Sequence, residues 1–206
     1  MNPLNQQRKQ LRQTLRVKRQ SLSSQQQNIA SQALKNKCIE LATGHQNFAL
    51  YLQNDGEIDP KLAIESLWEL DKTVLLPVMH SFRKGYLNFQ KYTVSTDLPH
   101  NRYGIPEPRL SSLETVAIAD IDVVFMPLVG FDVHGNRLGM GGGYYDRTFA
   151  AIDTLEKKPM LIGLAHDCQQ LETIPVESWD VPLDQIITPT QKIIIKDHDN
   201  SAKTPL

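Results

Sequence analysis

The chain has 206 residues, enough for one domain with a sizeable core or two small ones. Its 22 basic and 23 acidic residues leave a formal net charge of −1, which argues against general nucleic-acid binding. Two cysteines, Cys38 and Cys168, cannot build a disulfide framework and form no zinc-type cluster, so a reducing compartment is expected. The start is polar and basic rather than signal-like, and no apolar run approaches membrane-spanning length; cytoplasmic placement follows as an expectation.

Residues 3–22 read as a helix. Leu4, Leu11, Leu15 and Leu22 lie on one stripe at 3.6 residues per turn, with Arg8, Arg12, Arg16 and Arg19 beside it. Lys9 and Lys18 add charge, and no acidic residue occurs before Glu40, so nothing local neutralises the arginines. Either they are solvated or they face an anion. A second helix is capped by Ser23 or Ser24 with Gln26 or Gln27, runs through Ile29, Ala30, Ala33, Leu34, Cys38 and Leu41, and stops at Gly44. Residues 48–52 form a strand, and a polar loop, 53–58, follows. Asp59-Pro60 starts a helix that packs Leu62, Ala63, Leu67 and Trp68. Residues 73–78 are the next strand. Strand, helix and strand with short joints predict a parallel pair, with Glu57 in a loop at the carboxyl end of the first strand. Glu57 is either a surface residue assisting the helix start or an acidic site candidate.

Residues 86–92 alternate as a strand after a turn at Lys84-Gly85. The proline- and glycine-rich segment 98–108 is either a lid or a plain connection. Ile121 to Val129 is a buried strand, and Tyr144 to Leu155 is read as a helix through Phe149, Ile152 and Leu155. Further strands are expected at 160–165 and 185–188, with an edge strand at 192–196 guarded by lysines and a frayed tail from 197. His166 beside Cys168 lacks a third partner for nucleophilic chemistry. The pattern predicts one α/β domain over 1–196: an open, mostly parallel, Rossmann-like three-layer sheet with helices on both faces.

The densest chemistry lies at Gly135-Asn136-Arg137-Leu138-Gly139-Met140-Gly141-Gly142-Gly143-Tyr144-Tyr145-Asp146-Arg147. Four of the eleven glycines fall between positions 139 and 143. The glycines admit close approach of backbone N–H groups to an anion at a strand-to-helix turn. No Gly-Lys-Ser/Thr follows, and the spacing is not a dinucleotide fingerprint. Asp146 either complements the helix start or holds Mg²⁺ beside phosphate, with Asp180 or Asp184 as a second carboxylate.

The run Arg137-Leu138-Gly139-x-Gly141-x-Gly143-Tyr144-Tyr145-Asp146, after Gly130-Phe131-Asp132-x-x-Gly135, resembles the signature of 5-formyltetrahydrofolate cyclo-ligases, also called methenyltetrahydrofolate synthetases. The resemblance extends to Arg8-Lys9-Gln10-Leu11-Arg12, to Leu52 and Asn54-Asp55-Gly56-Glu57-Ile58, to Gly104-Ile105-Pro106-Glu107-Pro108 and to Val181-Pro182-Leu183-Asp184. Position 142 is Lys or Gly in the family; here Gly142 leaves more of the charge to Arg8, Arg12 and Arg137. The resemblance implies ATP- and Mg²⁺-dependent closure of 5-formyltetrahydrofolate to the 5,10-methenyl product. It implies ATP contacts from Arg8, Lys9, Arg12, Arg137, Leu138, Gly139, Met140, Gly141, Gly142, Gly143, Tyr144 and Tyr145. Folate contacts would come from Leu52, Glu57 and the segment from Met140 to Tyr144. Arg137, Tyr145 and Asp146 would serve the reaction, with Asp146, Asp180 and Asp184 as metal candidates. Small-molecule substrates, no nucleic acid, no membrane and a monomer are expected. The rival readings are a nucleic-acid module led by the basic helix, which lacks base-stacking aromatics before Phe48, and a phosphosugar or CoA-ester enzyme, for which no base or nucleophile stands out.

Overall fold

The computed structural model describes residues 3–195; the expectation of a frayed tail from residue 197 lies outside them. Helix α1, Pro3–Gln20, precedes α2, Ser24–Ile39. Ser23 caps α2 and Gln26 returns the bond to the cap backbone, completing the box that the sequence indicates. Strand β1 is short, Asn47–Ala49, and the chain stays buried through Leu50 and Tyr51. Asp59 accepts a hydrogen bond from the Lys61 amide (2.9 Å) at the start of α3, Lys61–Glu69. Strand β2, Thr73–Met79, then pairs parallel with β1.

The antiparallel strand β3, Leu87–Lys91, follows the turn at Gly85, and the two-residue β4, Thr115–Val116, extends that edge. Strands β5, Val123–Pro127, β8, Met160–Leu164, and β9, Gln185–Ile187, continue the parallel centre. The edge strand β10, Lys192–Ile194, is antiparallel, with Lys192 outward, as its lysine-flanked sequence indicates. The sheet order is β10-β9-β8-β5-β1-β2-β3-β4. Parallel pairing forces crossovers, which put helices on both faces. Leu34 and Cys38 of α2 and Leu67 of α3 cover Phe48, Phe125 and Ile162 on one face. Phe131 and Phe149 pack with Phe89 and Met126 on the other.

Two elements differ from the sequence reading. The glycine run does not leave β5 directly. A small antiparallel ribbon intervenes, β6 at Gly130–Phe131 and β7 at Arg137–Leu138. The buried Asp132 ties it by accepting from the amides of His134 (3.0 Å), Asn136 (3.1 Å) and Ile174 (2.9 Å). The helix after the glycines is also shorter: α4 covers only Tyr144–Phe149, and Ile152–Thr154 forms a separate 3-10 turn. Periodicity through Leu155 carried the expectation past the point where the chain leaves the helix. Ile29, expected on the packed face of α2, is 61% exposed.

Candidate active site

The carboxyl ends of β1, β2 and β5 open into a cleft of about 660 Å³, of a size suited to small-molecule ligands. Its floor is apolar, with Tyr51, Leu52, Leu76, Met79, Leu87 and Leu128. Its polar groups arrive from five segments far apart in sequence, one of them the segment of Glu177 and Asp180.

The first is α1. Arg8 and Arg12 line the cleft, one turn apart. Arg8 is nearly buried and makes a two-pronged ion pair with Asp180, its Nη2 lying 3.1 Å from Oδ1, while Nη1 also donates to the Pro175 carbonyl (2.9 Å). Arg12 donates from Nε to the Gly139 carbonyl (2.7 Å). Burial draws the Arg12 guanidinium below its ordinary value, and the neighbouring Arg8 adds to this. The far half of the arginine stripe has another fate. Arg16 and the fully buried Arg19 pair with Asp55, each at 2.7 Å.

The second segment is the glycine loop. Gly141 and Gly143 have φ of +94° and +63°, which side chains with a Cβ rarely adopt. Among the described residues, the amides of Gly141, Gly142 and Gly143 donate no hydrogen bond. Arg147 braces the loop from outside, bonding to the carbonyls of Gly142 and, at 3.1 Å, Gly85. At the base of the loop, Arg137 donates to Asp146 Oδ1 (2.7 Å) and to the Val181 carbonyl (2.9 Å). Burial lowers the Arg137 pKa and the adjacent Asp146 opposes that shift. Asp146 Oδ1 also accepts from the Val181 amide (3.3 Å), whereas Oδ2 has no partner among the described residues.

The third segment is the loop after β1. Glu57 lines the cleft at 9% exposure, receives the Asn54 amide (3.2 Å) and has an oxygen 3.9 Å from Arg19. Burial pushes its carboxyl up to about 7, against the pull of Arg19. Fourth, the segment 98–108 forms a wall of the cleft rather than a plain connection. Tyr103 and Tyr144 share a hydrogen bond between hydroxyls (3.1 Å), and Arg102 donates to the same Tyr144 oxygen (3.0 Å). Hydrogen bonding to Tyr103 holds the Tyr144 phenol below its ordinary range.

The sequence profile of the 5-formyltetrahydrofolate cyclo-ligase family matches residues 4–189. The chain belongs to that family. It is 44% identical over 185 residues to the 5-formyltetrahydrofolate cyclo-ligase of Haemophilus influenzae, covering 88% of this chain and 97% of the relative. It is 39% identical to that of Escherichia coli over 180 residues, covering 86% and 97%. Its fold matches that of the Aquifex aeolicus 5,10-methenyltetrahydrofolate synthetase with a TM-score of 0.77 at 26% identity, covering 92% of this chain and 93% of that one. A synthetase from Mycoplasma pneumoniae matches with a TM-score of 0.70 at 26% identity, covering 88% and 98%.

Within this cyclo-ligase fold, most of the residues singled out from sequence meet in the one cleft: Arg8, Arg12, Leu52, Glu57, Arg137, Gly139 to Asp146 and Asp180. Three do not. Lys9 is exposed on the outer side of α1, about 100° around the helix from Arg8. Leu138 is fully buried in the ribbon and meets the cleft with no side-chain surface. Asp184 lies at the opposite end of the sheet, accepting the Leu161 amide (2.7 Å) beside Asp122 and Lys157. It lies only four positions after Asp180, but the chain between them runs through the buried Leu183 to the start of β9. The structure therefore does not bring Asp184 to Asp146. Sequence reasoning missed Tyr51 and Met79 in the floor, Tyr103 in the wall and Trp179 at the rim, 65% exposed beside Asp180. A tryptophan next to a candidate aspartate is the signal the sequence offers for the last.

The described residues contain no group of three or more His, Cys, Asp or Glu that could hold a metal ion. Mg²⁺ does not require one, since it binds one or two carboxylates and completes its shell with phosphates and water. Asp146, with its open Oδ2, fits that use. Asp180 fits less well, because both oxygens are engaged by Arg8 and Oδ2 also receives the Glu177 amide. No described helix is long and apolar enough to cross a membrane.

Proposed function

We propose that the protein closes 5-formyltetrahydrofolate to 5,10-methenyltetrahydrofolate with consumption of ATP. The observation that carries this reading is convergence on one cleft of two unlike ends. One is cationic and glycine-rich, and the other is apolar with a single buried acid.

At the first end, Arg8, Arg12, Arg137 and the undonated amides of Gly141 to Gly143 suit a triphosphate. Asp180 and Asp146 keep Arg8 and Arg137 in fixed orientations, so little reorganisation is needed when charge develops on the transferring phosphoryl group. The exposed face of Trp179 offers the nucleobase a stacking surface beside Asn5 and Arg8. At the second end, Tyr51, Leu52, Met79 and Leu87 suit an aromatic ring system. The Glu57 carboxylate can accept hydrogen bonds from a pterin's donor edge. Met140 to Tyr144 lie between the two ends, where the formyl oxygen must meet the γ-phosphate.

The chemistry needs no protein nucleophile, in keeping with the lack of one in the cleft. The formyl oxygen attacks the γ-phosphorus and ADP leaves. The second folate nitrogen attacks the activated carbon and gives up its proton, phosphate leaves with the former formyl oxygen and takes that proton, and the ring closes. The protein's contribution is to align two substrates and neutralise phosphate charge. Asp146 would hold Mg²⁺ beside the phosphates, where the ion would supply further neutralisation. Tyr145 packs its ring on Phe149 (6.3 Å between centroids), and burial raises its phenol, so it serves as a neutral donor and wall.

The direct test mixes the protein with Mg-ATP and 5-formyltetrahydrofolate and follows the methenyl product by absorbance. The expected result is an increase that requires protein, ATP and the formyl group. No ATP-dependent increase would remove this reading.

A further inference from the structure

We propose that Asp55 is a positioning residue that fixes the Glu57 loop to the helix carrying Arg8 and Arg12, and so couples occupancy of the folate end of the cleft to occupancy of the nucleotide end. This rests on the reading of Glu57 as a folate contact. Asp55 is absent from the cleft lining, so it acts only through its neighbours.

The geometry around Asp55 is unusually complete. It sits at φ +53°, a left-handed conformation that Asp and Asn tolerate better than most side chains. Its carboxylate receives Nε and Nη2 of Arg16 (2.7 and 2.9 Å), Nη2 of Arg19 (2.7 Å) and the Gln20 side-chain amide. Its carbonyl receives Arg19 Nε (2.9 Å). Arg19 is wholly buried and also donates to the Leu128 carbonyl (3.1 Å) at the end of β5. Two residues after Asp55, Glu57 enters the cleft.

The same helix reaches the other end of the site. Arg12 holds Gly139 and Arg8 holds Asp180, eleven residues and about 16 Å from Arg19 along the axis. Among the described residues of α1, only Arg8, Leu15 and Arg19 are buried. Two of these three are arginines, so polar anchors rather than a broad apolar face fix the seat of the helix. Closing Glu57 on a folate therefore sets Asp55, which sets Arg16 and Arg19, and through the rigid helix sets Arg8 and Arg12. Coupling of this kind is reciprocal: each ligand tightens the other by the same factor.

The test uses the full chain and two variants. Asp55→Asn keeps the left-handed preference and removes the charge. Arg16→Gln removes the bidentate partner at a half-exposed position, which protects the test if Asp55→Asn folds poorly. Calorimetry measures binding of Mg²⁺ and a non-hydrolysable ATP analogue, with and without saturating 5-formyltetrahydrofolate, alongside thermal unfolding. In the wild type the folate is expected to tighten the analogue by about 5-fold or more. In both variants that ratio falls toward one, while analogue affinity without folate changes less than about 2-fold. A wild-type ratio of one, or an undiminished ratio in both folded variants, overturns the proposal. Glu57→Gln is the separate control: if it leaves folate affinity unchanged, the folate reading of Glu57 fails. If it weakens folate binding while the Asp55 variant keeps full coupling, only the positioning role fails.

Discussion

Asp146 engages Arg137 through one carboxylate oxygen and leaves the other without a partner among the described residues. The pair is thus both a structural tie and an open ligand position. Asp146→Asn keeps an acceptor for Arg137 and the Val181 amide but loses the charge. It is expected to lower kcat by about 100-fold, the scale of losing one preorganised electrostatic contact, and to raise the Mg²⁺ concentration needed for half-maximal rate. Steady-state rates across a Mg²⁺ titration check this; an unchanged Mg²⁺ requirement would count against the metal role.

Arg137→Ala behaves differently, because Arg137 is nearly buried and holds the Val181 carbonyl as well as Asp146. Removing it leaves two groups under-paired. The expected cost is about 2 kcal/mol of stability in addition to a kcat loss of about 100-fold. Urea unfolding monitored by circular dichroism separates the two effects.

Glu57 links pH to both stability and binding. Its folded pKa of about 7 lies above the ~4.3 of an unfolded glutamate. Between those values the folded chain holds more protons than the unfolded one, so this group makes stability fall as pH rises from about 4 to 7. Glu57→Gln removes that slope. The ligand-free variant should therefore match the wild type at about pH 4 and exceed it in Tm near pH 8. A pterin donor edge favours the ionised form, so wild-type folate affinity should rise from pH 6 to 8 while that of the variant stays flat. Parallel pH profiles for both proteins would refute the carboxylate contact. In steady state the same variant should raise the KM for folate about 10-fold and leave that for ATP nearly unchanged.

The parts of this site legible in sequence were those in which one residue type answers one local need. Gly141 and Gly143 occupy positive φ, Ser23 and Gln26 close a capping box, and the parallel strands fall where apolar runs alternate with helices. Pairings across long stretches of chain were not legible. The arginine stripe looked unneutralised because its acids, Asp55 and Asp180, lie 36 and 172 residues from their partners Arg19 and Arg8. Asp184 shows the converse: it follows Asp180 closely in sequence, but the chain between them passes the buried Leu183 and carries Asp184 to the Leu161 amide at the other end of the sheet. The ribbon β6–β7 escaped notice because two-residue strands carry no periodicity.

The two tryptophans offer a spectroscopic separation of the nucleotide end from the rest. Trp68 donates to the Tyr92 carbonyl (2.9 Å) and packs tilted against the Tyr92 ring, away from the cleft lining. Trp179 is exposed at the rim beside Asp180 and Arg8. Stacking of a base on an aromatic side chain contributes about 1–3 kcal/mol. Binding of ATP should therefore quench fluorescence in wild type and in Trp68→Phe, and leave Trp179→Phe unaltered. Trp179→Ala should raise the KM for ATP about 10-fold with little change in that for folate, because the lost surface serves only the nucleotide. Equal quenching in Trp179→Phe would place the base elsewhere in the cleft, and an equal rise in both KM values would show that Trp179 supports the cleft as a whole.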